Sequence, residues 1–234
     1  MPGKEVNMKD IASEGIDKFF LKFKQRNYKK GQVILHPDEE ASDHIYYLEK
    51  GHVKVYSITE EGNERCHIFY KPGEIFPLVA FFVNKTRDVF FEAMEGITVR
   101  RAPRKEFMDF IMTDTKYLLE IIKRISVVLE IYANRIDNLE CTNAYPRVIS
   151  RLIYMAERFG RRYGKNIILD IPVTHKDIAN TIGLTRETAS REIEVLIKKG
   201  MISQNGHIIV INNIKKLKKE LELALGLFLL YAAF

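Results

Sequence analysis

The stretch 183-GLTRETASREIEVLIKKG-200 opens and closes on glycine and carries an apolar stripe, Ala189, Ile193, Leu196 and Ile197, at helical spacing. Another face holds Arg186, Glu187, Ser190 and Arg191. Such a cluster has two readings. It is a solvated surface, with Glu187 and Arg191 forming an i,i+4 ion pair worth about 0.3–0.5 kcal/mol, or it is a face that reads something. The flanking residues discriminate. Upstream, Thr174 followed three residues later by Asp177 is close to a capping box and predicts a short helix over Lys176–Ile182. Gly183 can take the left-handed conformation that ends that helix, Leu184 fills the corner, and Thr185 caps the next helix. Ala179, Gly183 and Ile193 fall where two steeply crossed helices need small or apolar contacts. Downstream, "MISQNGHIIVI" (Met201–Ile211) predicts a hairpin with Asn205-Gly206 at its tip. Helix, turn, helix and hairpin in that order make a winged helix-turn-helix.

In this motif the first residues of the second helix enter the major groove of DNA. Arginine pairs with guanine O6 and N7, glutamate accepts from cytosine N4, and serine contacts base or phosphate. The candidate DNA-binding residues are therefore Arg186, Glu187, Ser190 and Arg191, with Thr185 at the helix start. Thr174, Lys176 and the Lys198–Lys199 pair are candidate phosphate contacts, individually unspecific because surface lysines are commonly just solvated. Charge points the same way. Of a net charge of +6, residues 142–234 carry 15 Lys/Arg against 8 Asp/Glu (+7), and residues 1–141 carry 22 against 23 (−1). The basic half is the expected partner of a polyanion.

Before this domain, "CTNAYPRVISRL" (Cys141–Leu152) breaks a long helix, with Asn143 as N-cap and Pro146 in the first turn of the next helix, Ala144–Phe159. A hinge is expected at Cys141–Asn143. The long helix runs from Thr115 to about Glu140 without Gly or Pro, and Leu118, Ile122, Ile125, Leu129, Tyr132, Ile136 and Leu139 recur at steps of 4, 3, 4, 3, 4, 3. That is the seam of a parallel coiled coil, and so of a homodimer; the alternative is a helix buried within one chain. A second stripe, Leu119, Ile121, Val128 and Ile131, is free to pack on the preceding domain. From Phe19 to about Phe107 the pattern is short strands between turns: "GQVILH" (Gly31–His36), then "HIYYLEKGHVKVYSITEEGNERCHIFYKPGEIF" (His44–Phe76) with turns at Glu60–Asn63 and Lys71–Glu74, and "ITVRRAPRKEF" (Ile97–Phe107) as the last strand. The fold class is α+β. The spacing suggests a β sandwich or barrel over 1–114, with a dimerisation helix over 115–141 and the winged helix-turn-helix over 142–234, where "NIILDI" (Asn166–Ile171) reads as a short strand.

The totals exclude several classes. Two distant cysteines, Cys66 and Cys141, give no disulfide framework and no CxxC pair, which suits a reducing cytosol and argues against a structural zinc or a cysteine-held cluster. "MPGKEVNMKD" lacks the plan of a secretory signal. The apolar run "LALGLFLLYAAF" has twelve residues, against about twenty for a membrane span; it reads as a buried or partner-facing helix end, and no membrane partner is expected. No GxSxG, HExxH or glycine-rich phosphate loop is present, and His36, His44, His52 and His67 lack metal-ligand spacing, so neither an enzyme nor a metal site is expected.

Across about residues 17–213 the sequence resembles the Crp/Fnr family of bacterial transcription regulators, which implies that the β domain over 1–114 is a jelly-roll-like β-roll (a double-stranded β-helix). The matching stretches are "YKKGQVILHPDEEASDHIYYLEKGHVKVYSITEEGNERCHIFYKPGEIF" (Tyr28–Phe76) and "TRETASR" (Thr185–Arg191). Arg186, Glu187 and Arg191 resemble the cyclic-AMP branch of the family; Glu187, Ser190 and Arg191 resemble the Fnr branch. The resemblance implies a cytoplasmic homodimer on a pseudo-palindromic DNA site with a TGA-like half-site core, RNA polymerase as a further partner, and an effector shifting the seam and hinge to re-aim two recognition helices.

The family's cyclic-nucleotide cassette follows roughly Gly-Glu-x-x-Gly-Glu-Leu-Ala and later Arg-Ser/Thr-Ala. Here the segment is "GEIFPLVAFFVNKTRDVFFEA" (Gly73–Ala93). Gly73, Glu74 and Arg87 keep the pattern. Pro77 replaces the second Gly and removes an N–H donor, Leu78 replaces the ribose-binding Glu, and Asp88 replaces the hydroxyl beside Arg87 and would repel a phosphate. The expected effector is therefore a small molecule other than cyclic AMP. Phe76, Leu78, Phe81, Phe82, Arg87 and Phe90 are candidate pocket residues for an apolar or aromatic acid, as in relatives that sense phenolic compounds; plain core packing is the alternative. Haem sensors of the family use an N-terminal Pro and a cassette His; Pro2 is present but no cassette His is. The Fnr cluster needs N-terminal cysteines, which are lacking, so no cofactor is expected. Two other functions stay open: a ligand-sensing module whose C-terminal domain binds a protein, and a constitutive regulator with a purely structural β-roll.

Overall fold

The structure is a computed structural model that describes residues 14–37, 43–83, 88–141 and 143–231. The chain divides into two compact units, residues 1–62 with 67–131, and residues 63–66 with 132–234.

The first unit starts with helix α1 (Glu14–Leu21), followed by strands β1 (Gln25–Tyr28), β2 (Val33–Leu35), β3 (His44–Lys50), β4 (Val53–Ile58), β5 (Glu64–Tyr70) and β6 (Ile75–Phe76). A short helix α2 (Leu78–Val83), strands β7 (Phe90–Ala93) and β8 (Ile97–Pro103), helix α3 (Arg104–Ile111) and the long helix α4 (Thr115–Glu140) complete the order. The strands form two four-stranded sheets, β1-β8-β3-β6 and β2-β7-β4-β5. Alternation sets which face is buried: along β8, Ile97, Val99 and Ala102 are buried while Thr98 and Arg100 are less so.

Three helices here have no counterpart in the sequence reading. Helix α1 runs through Phe19, where strands are expected to begin. Helix α2 is six residues, all apolar, too short for a helical period to emerge. The Phe81 amide closes its first turn on the Pro77 carbonyl at 3.0 Å. Helix α3 follows directly on β8. Its buried Phe107 and Ile111, four apart, fall on one face, so "PRKEF" starts a helix where a strand was expected to continue.

The core of this unit gathers Ile16, Phe19, Phe20, Ile45, Ile75, Leu78, Phe81, Phe107, Ile111 and Ile121. Burying each such side chain contributes about 1.5–3 kcal/mol. Helix α4 presents Ile121, Val128 and Ile131 as buried residues, as the second stripe predicted, but Leu119 of that stripe is 54% exposed. Among them lies a buried ion pair. The Arg124 guanidinium meets Glu120 Oε1 at 2.7 Å, donates to the Gly73 carbonyl at 2.7 Å, and stands 3.7 Å from Asp17. Burial raises the Asp17 carboxyl above its usual value, against the pull of Arg124. Burial, with Asp17 beside it, pushes the Tyr47 phenol up to about 12.

The predicted seam is divided. Ile122, Leu129, Ile136 and Leu139 are exposed, Leu118 and Ile125 pack against the core of the first unit, and Tyr132 is half-buried. The exposed line instead runs through Leu119, Ile122, Ser126, Leu129, Ala133 and Ile136, at steps of 3, 4, 3, 4 and 3. The period is the predicted one; the register differs because Leu118 and Ile125 are taken by the core.

The second unit contains the end of α4, then α5 (Ala144–Phe159), β9 (Gly160–Tyr163), β10 (Asn166–Leu169), α6 (His175–Ile182), α7 (Arg186–Lys198), β11 (Ile202–Asn205), β12 (Ile208–Ile211) and α8 (Ile214–Tyr231). The third sheet has the order β11-β12-β10-β9. Strand β9, "GRRY", is mostly exposed and shows no alternation; it is defined by its pairing with β10 and was missed in the sequence. Asn143 stands at the N-cap of α5 in extended conformation, but its side chain makes no capping bond. The Arg147 guanidinium donates to the carbonyls of Cys141 at 2.5 Å, Leu139 at 3.2 Å and Ile182 at 3.4 Å. No helix among the described residues is long and apolar enough to cross a membrane.

Candidate nucleic-acid interface

Local chemistry sets the helix pair. The Thr174 hydroxyl accepts from the Asp177 amide at 3.1 Å, and the Asp177 carboxylate accepts from the Thr174 amide at 2.8 Å, a complete capping box. Gly183 ends α6 at φ 65°, ψ 36°, a left-handed conformation that favours glycine, and its amide bonds to the Ala179 carbonyl. Thr185 then caps α7 by accepting from the Thr188 amide at 3.2 Å. Ile178, Ala179 and Ile182 of α6 and Ala189, Ile193 and Leu196 of α7 are buried at 1% exposure or less, which fixes the crossing; Ile197 at the stripe's edge remains 37% exposed.

With that face turned inward, Arg186, Glu187 and Arg191 are all exposed, as are Thr185, Thr174 and Lys176. Among the described residues Glu187 and Arg191 form no ion pair, although they stand four apart, and Arg191 has only a 3.5 Å contact to the Thr188 hydroxyl. Ser190 differs. It is half-buried, and its hydroxyl lies 2.9 Å from His175 Nδ1, while His175 Nε2 lies 2.9 Å from Gln204 Oε1 on β11. One imidazole thus touches both helices of the pair and the hairpin. Sequence reasoning missed His175 and Gln204, because no periodicity links positions 15 and 29 residues apart.

The hairpin turn is also offset. Asn205 pairs with Ile208, so the two-residue turn is Gly206-His207 rather than Asn205-Gly206, with Gly206 at φ 58°. Lys199, considered as a phosphate contact, is engaged: its ammonium meets Glu220 at 2.5 Å and the Tyr145 hydroxyl at 3.0 Å. These bonds raise the Lys199 ammonium above its ordinary value, and the hydrogen bonds from Lys199 and Tyr145 lower the Glu220 carboxyl. Lys198 is exposed.

In the first unit, the cassette aromatics are largely structural. Phe76, Leu78 and Phe81 are at 0–2% exposure; Phe76 stacks on Tyr46 at 5.4 Å, and Phe81 meets Phe107 edge-on at 5.5 Å. Phe82 is 38% exposed, and Phe90 is partly exposed and stacks on Tyr56 at 5.2 Å. Arg87 lies outside the described residues. Among the described residues no group of three or more His, Cys, Asp or Glu side chains could hold a metal ion.

Comparison with known proteins gives a consistent picture. The sequence matches the cyclic nucleotide-binding domain family over residues 25–114 and the Crp-like helix-turn-helix domain family over residues 146–220. An anaerobic regulatory protein of Aggregatibacter actinomycetemcomitans is 27% identical over 194 residues, covering 83% of this chain and 75% of that protein. The cAMP-activated global transcriptional regulator CRP of Salmonella typhimurium is 24% identical over 185 residues, covering 79% of this chain and 87% of that protein. The solved structure of FixK2 from Bradyrhizobium japonicum shares the fold, with a TM-score of 0.73, 23% identity and coverage of 84% of this chain and 96% of that one.

Proposed function

Because the chain belongs to the Crp/Fnr family, with a cyclic nucleotide-binding-type domain followed by a Crp-like helix-turn-helix, we propose that it works as a homodimer on a pseudo-palindromic DNA site and answers to an effector other than cyclic AMP. It is a DNA-binding transcription regulator of that family. The observation that carries it is the first two turns of α7, where Arg186, Glu187 and Arg191 are exposed and Glu187 and Arg191 do not pair with each other. Held as they are, Arg186 and Arg191 offer paired donors to guanine O6 and N7, and Glu187 offers an acceptor to cytosine N4. Thr174, Thr185 and Lys176, exposed beside them, serve the phosphates.

The exposed line Leu119, Ile122, Ser126, Leu129, Ala133 and Ile136 supports dimerisation through α4. A heptad line repeated on a second copy is self-complementary about a two-fold axis. Ser126 and Ala133, being small, allow close approach. The two-fold axis supports inverted half-sites one or more helical turns apart. RNA polymerase is the further partner proposed for the DNA-bound dimer.

Against cyclic AMP stand Pro77, which cannot donate, and Leu78, which occupies the ribose-Glu position and is only 2% exposed. A small-molecule effector would meet Phe82 and Phe90 more readily than the packed Phe76, Leu78 and Phe81. That packing also favours a second reading, a β-roll that is structural in a regulator needing no ligand. Selection of bound duplexes from a random pool by the full-length protein, with and without small molecules from a cell extract, tests both. Enrichment of an inverted repeat is expected; a pool that stays random sinks the proposal. Enrichment independent of the extract favours the ligand-free reading.

A further inference from the structure

His175 opens α6, and its half-buried ring is hydrogen-bonded at both nitrogens. The direction of each bond follows from chemistry. The Gly206 carbonyl can only accept, and Gln204 Nε2 donates to it at 2.9 Å. The amide oxygen of Gln204 is therefore the atom turned to His175, 2.9 Å from Nε2. An amide oxygen accepts, so Nε2 carries the ring proton. In the neutral ring Nδ1 is then an acceptor, and the Ser190 hydroxyl, 2.9 Å away, donates to it. The hydroxyl has one proton, and that proton is directed inward.

We propose that His175 is a positioning residue for base readout: by accepting the hydrogen bond that the Ser190 hydroxyl donates, it leaves Ser190 with lone pairs alone toward the groove, so that Ser190 reads an amino group on a base edge, adenine N6 or cytosine N4, and not a phosphate. Phosphate oxygens, guanine O6 and thymine O4 are acceptors, and two acceptors face to face repel. The same ring also ties the hairpin to α7, because Ser190 on α7 and Gln204 on β11 both bond to it. This inference rests on the reading of α7 as the DNA-reading helix.

The test uses the full-length protein and the duplex it selects. Removing one amino group at a time, with purine in place of adenine or a pyrimidinone in place of cytosine, identifies the base pair that Ser190 reads. At that pair wild type loses about three- to tenfold in affinity, the range for one hydrogen bond, and Ser190→Ala loses nothing further. His175→Phe, which keeps a ring and removes both bonds, relaxes the same base pair, and the double variant relaxes it no more than either single one. Relaxation at different pairs, additive losses, or indifference of the wild type to every amino deletion overturns the inference. The imidazole ¹⁵N spectrum of the wild type with neutral rings gives a readout that needs no variant to fold. A His175 protonated on Nε2 is expected, and one protonated on Nδ1 overturns the inference whatever the DNA result. A wild type without any sequence preference overturns instead the DNA reading itself.

Discussion

Arg124 and Arg191 carry the same side chain to opposite ends. Arg124 is 7% exposed and spends its donors on Glu120 and the Gly73 carbonyl, with Asp17 nearby. Arg191 is exposed, with one marginal contact to a hydroxyl. A guanidinium out of water must have its donors met, or the desolvation goes uncompensated. One left in water keeps its fork open for an outside acceptor. The same contrast separates Lys199, paired with Glu220 and Tyr145, from Lys176, exposed at the start of α6.

The largest expected effect is at Arg124. Arg124→Ala leaves Glu120 buried and unpaired and should cost about 3–5 kcal/mol of stability, read as a lowered midpoint in denaturant, with base preference unchanged in the folded fraction. A loss of selectivity without a loss of stability would break the contrast. Next comes Arg191→Ala, expected to cost about 1–3 kcal/mol of specific DNA binding and to relax one base position, with the unfolding midpoint unmoved. Equal loss on selected and random duplexes would remove its base-reading role. Lys176→Ala should weaken binding to all sequences alike and lower the salt slope by about one, seen in titrations at several salt concentrations. The smallest effect is at Lys199: Lys199→Gln should change stability by less than about 1 kcal/mol and leave the salt slope where it was. A slope change there would return Lys199 to the phosphate contacts.

Legibility in the sequence followed range. Thr174 with Asp177, Gly183 and Thr185 act on residues three or four away, so capping and the left-handed turn were readable, and the boundaries of α7 with them. The outward set Arg186, Glu187 and Arg191 follows from Ala189, Ile193 and Leu196 turning inward. The α4 seam was readable in period but not in register: Leu118 and Leu119 are adjacent apolar residues, and which of them faces out depends on the core that claims Leu118. Strand β9 carries two arginines and a tyrosine 77% exposed; only its partner β10 makes it a strand. The His175 bridge depends on three elements meeting, which no local pattern records.

Arg147 gathers carbonyls from the last turn of α4 and from the end of α6, two helix termini whose dipoles both favour a cation. One guanidinium therefore staples the tail of α4 to the helix that carries His175.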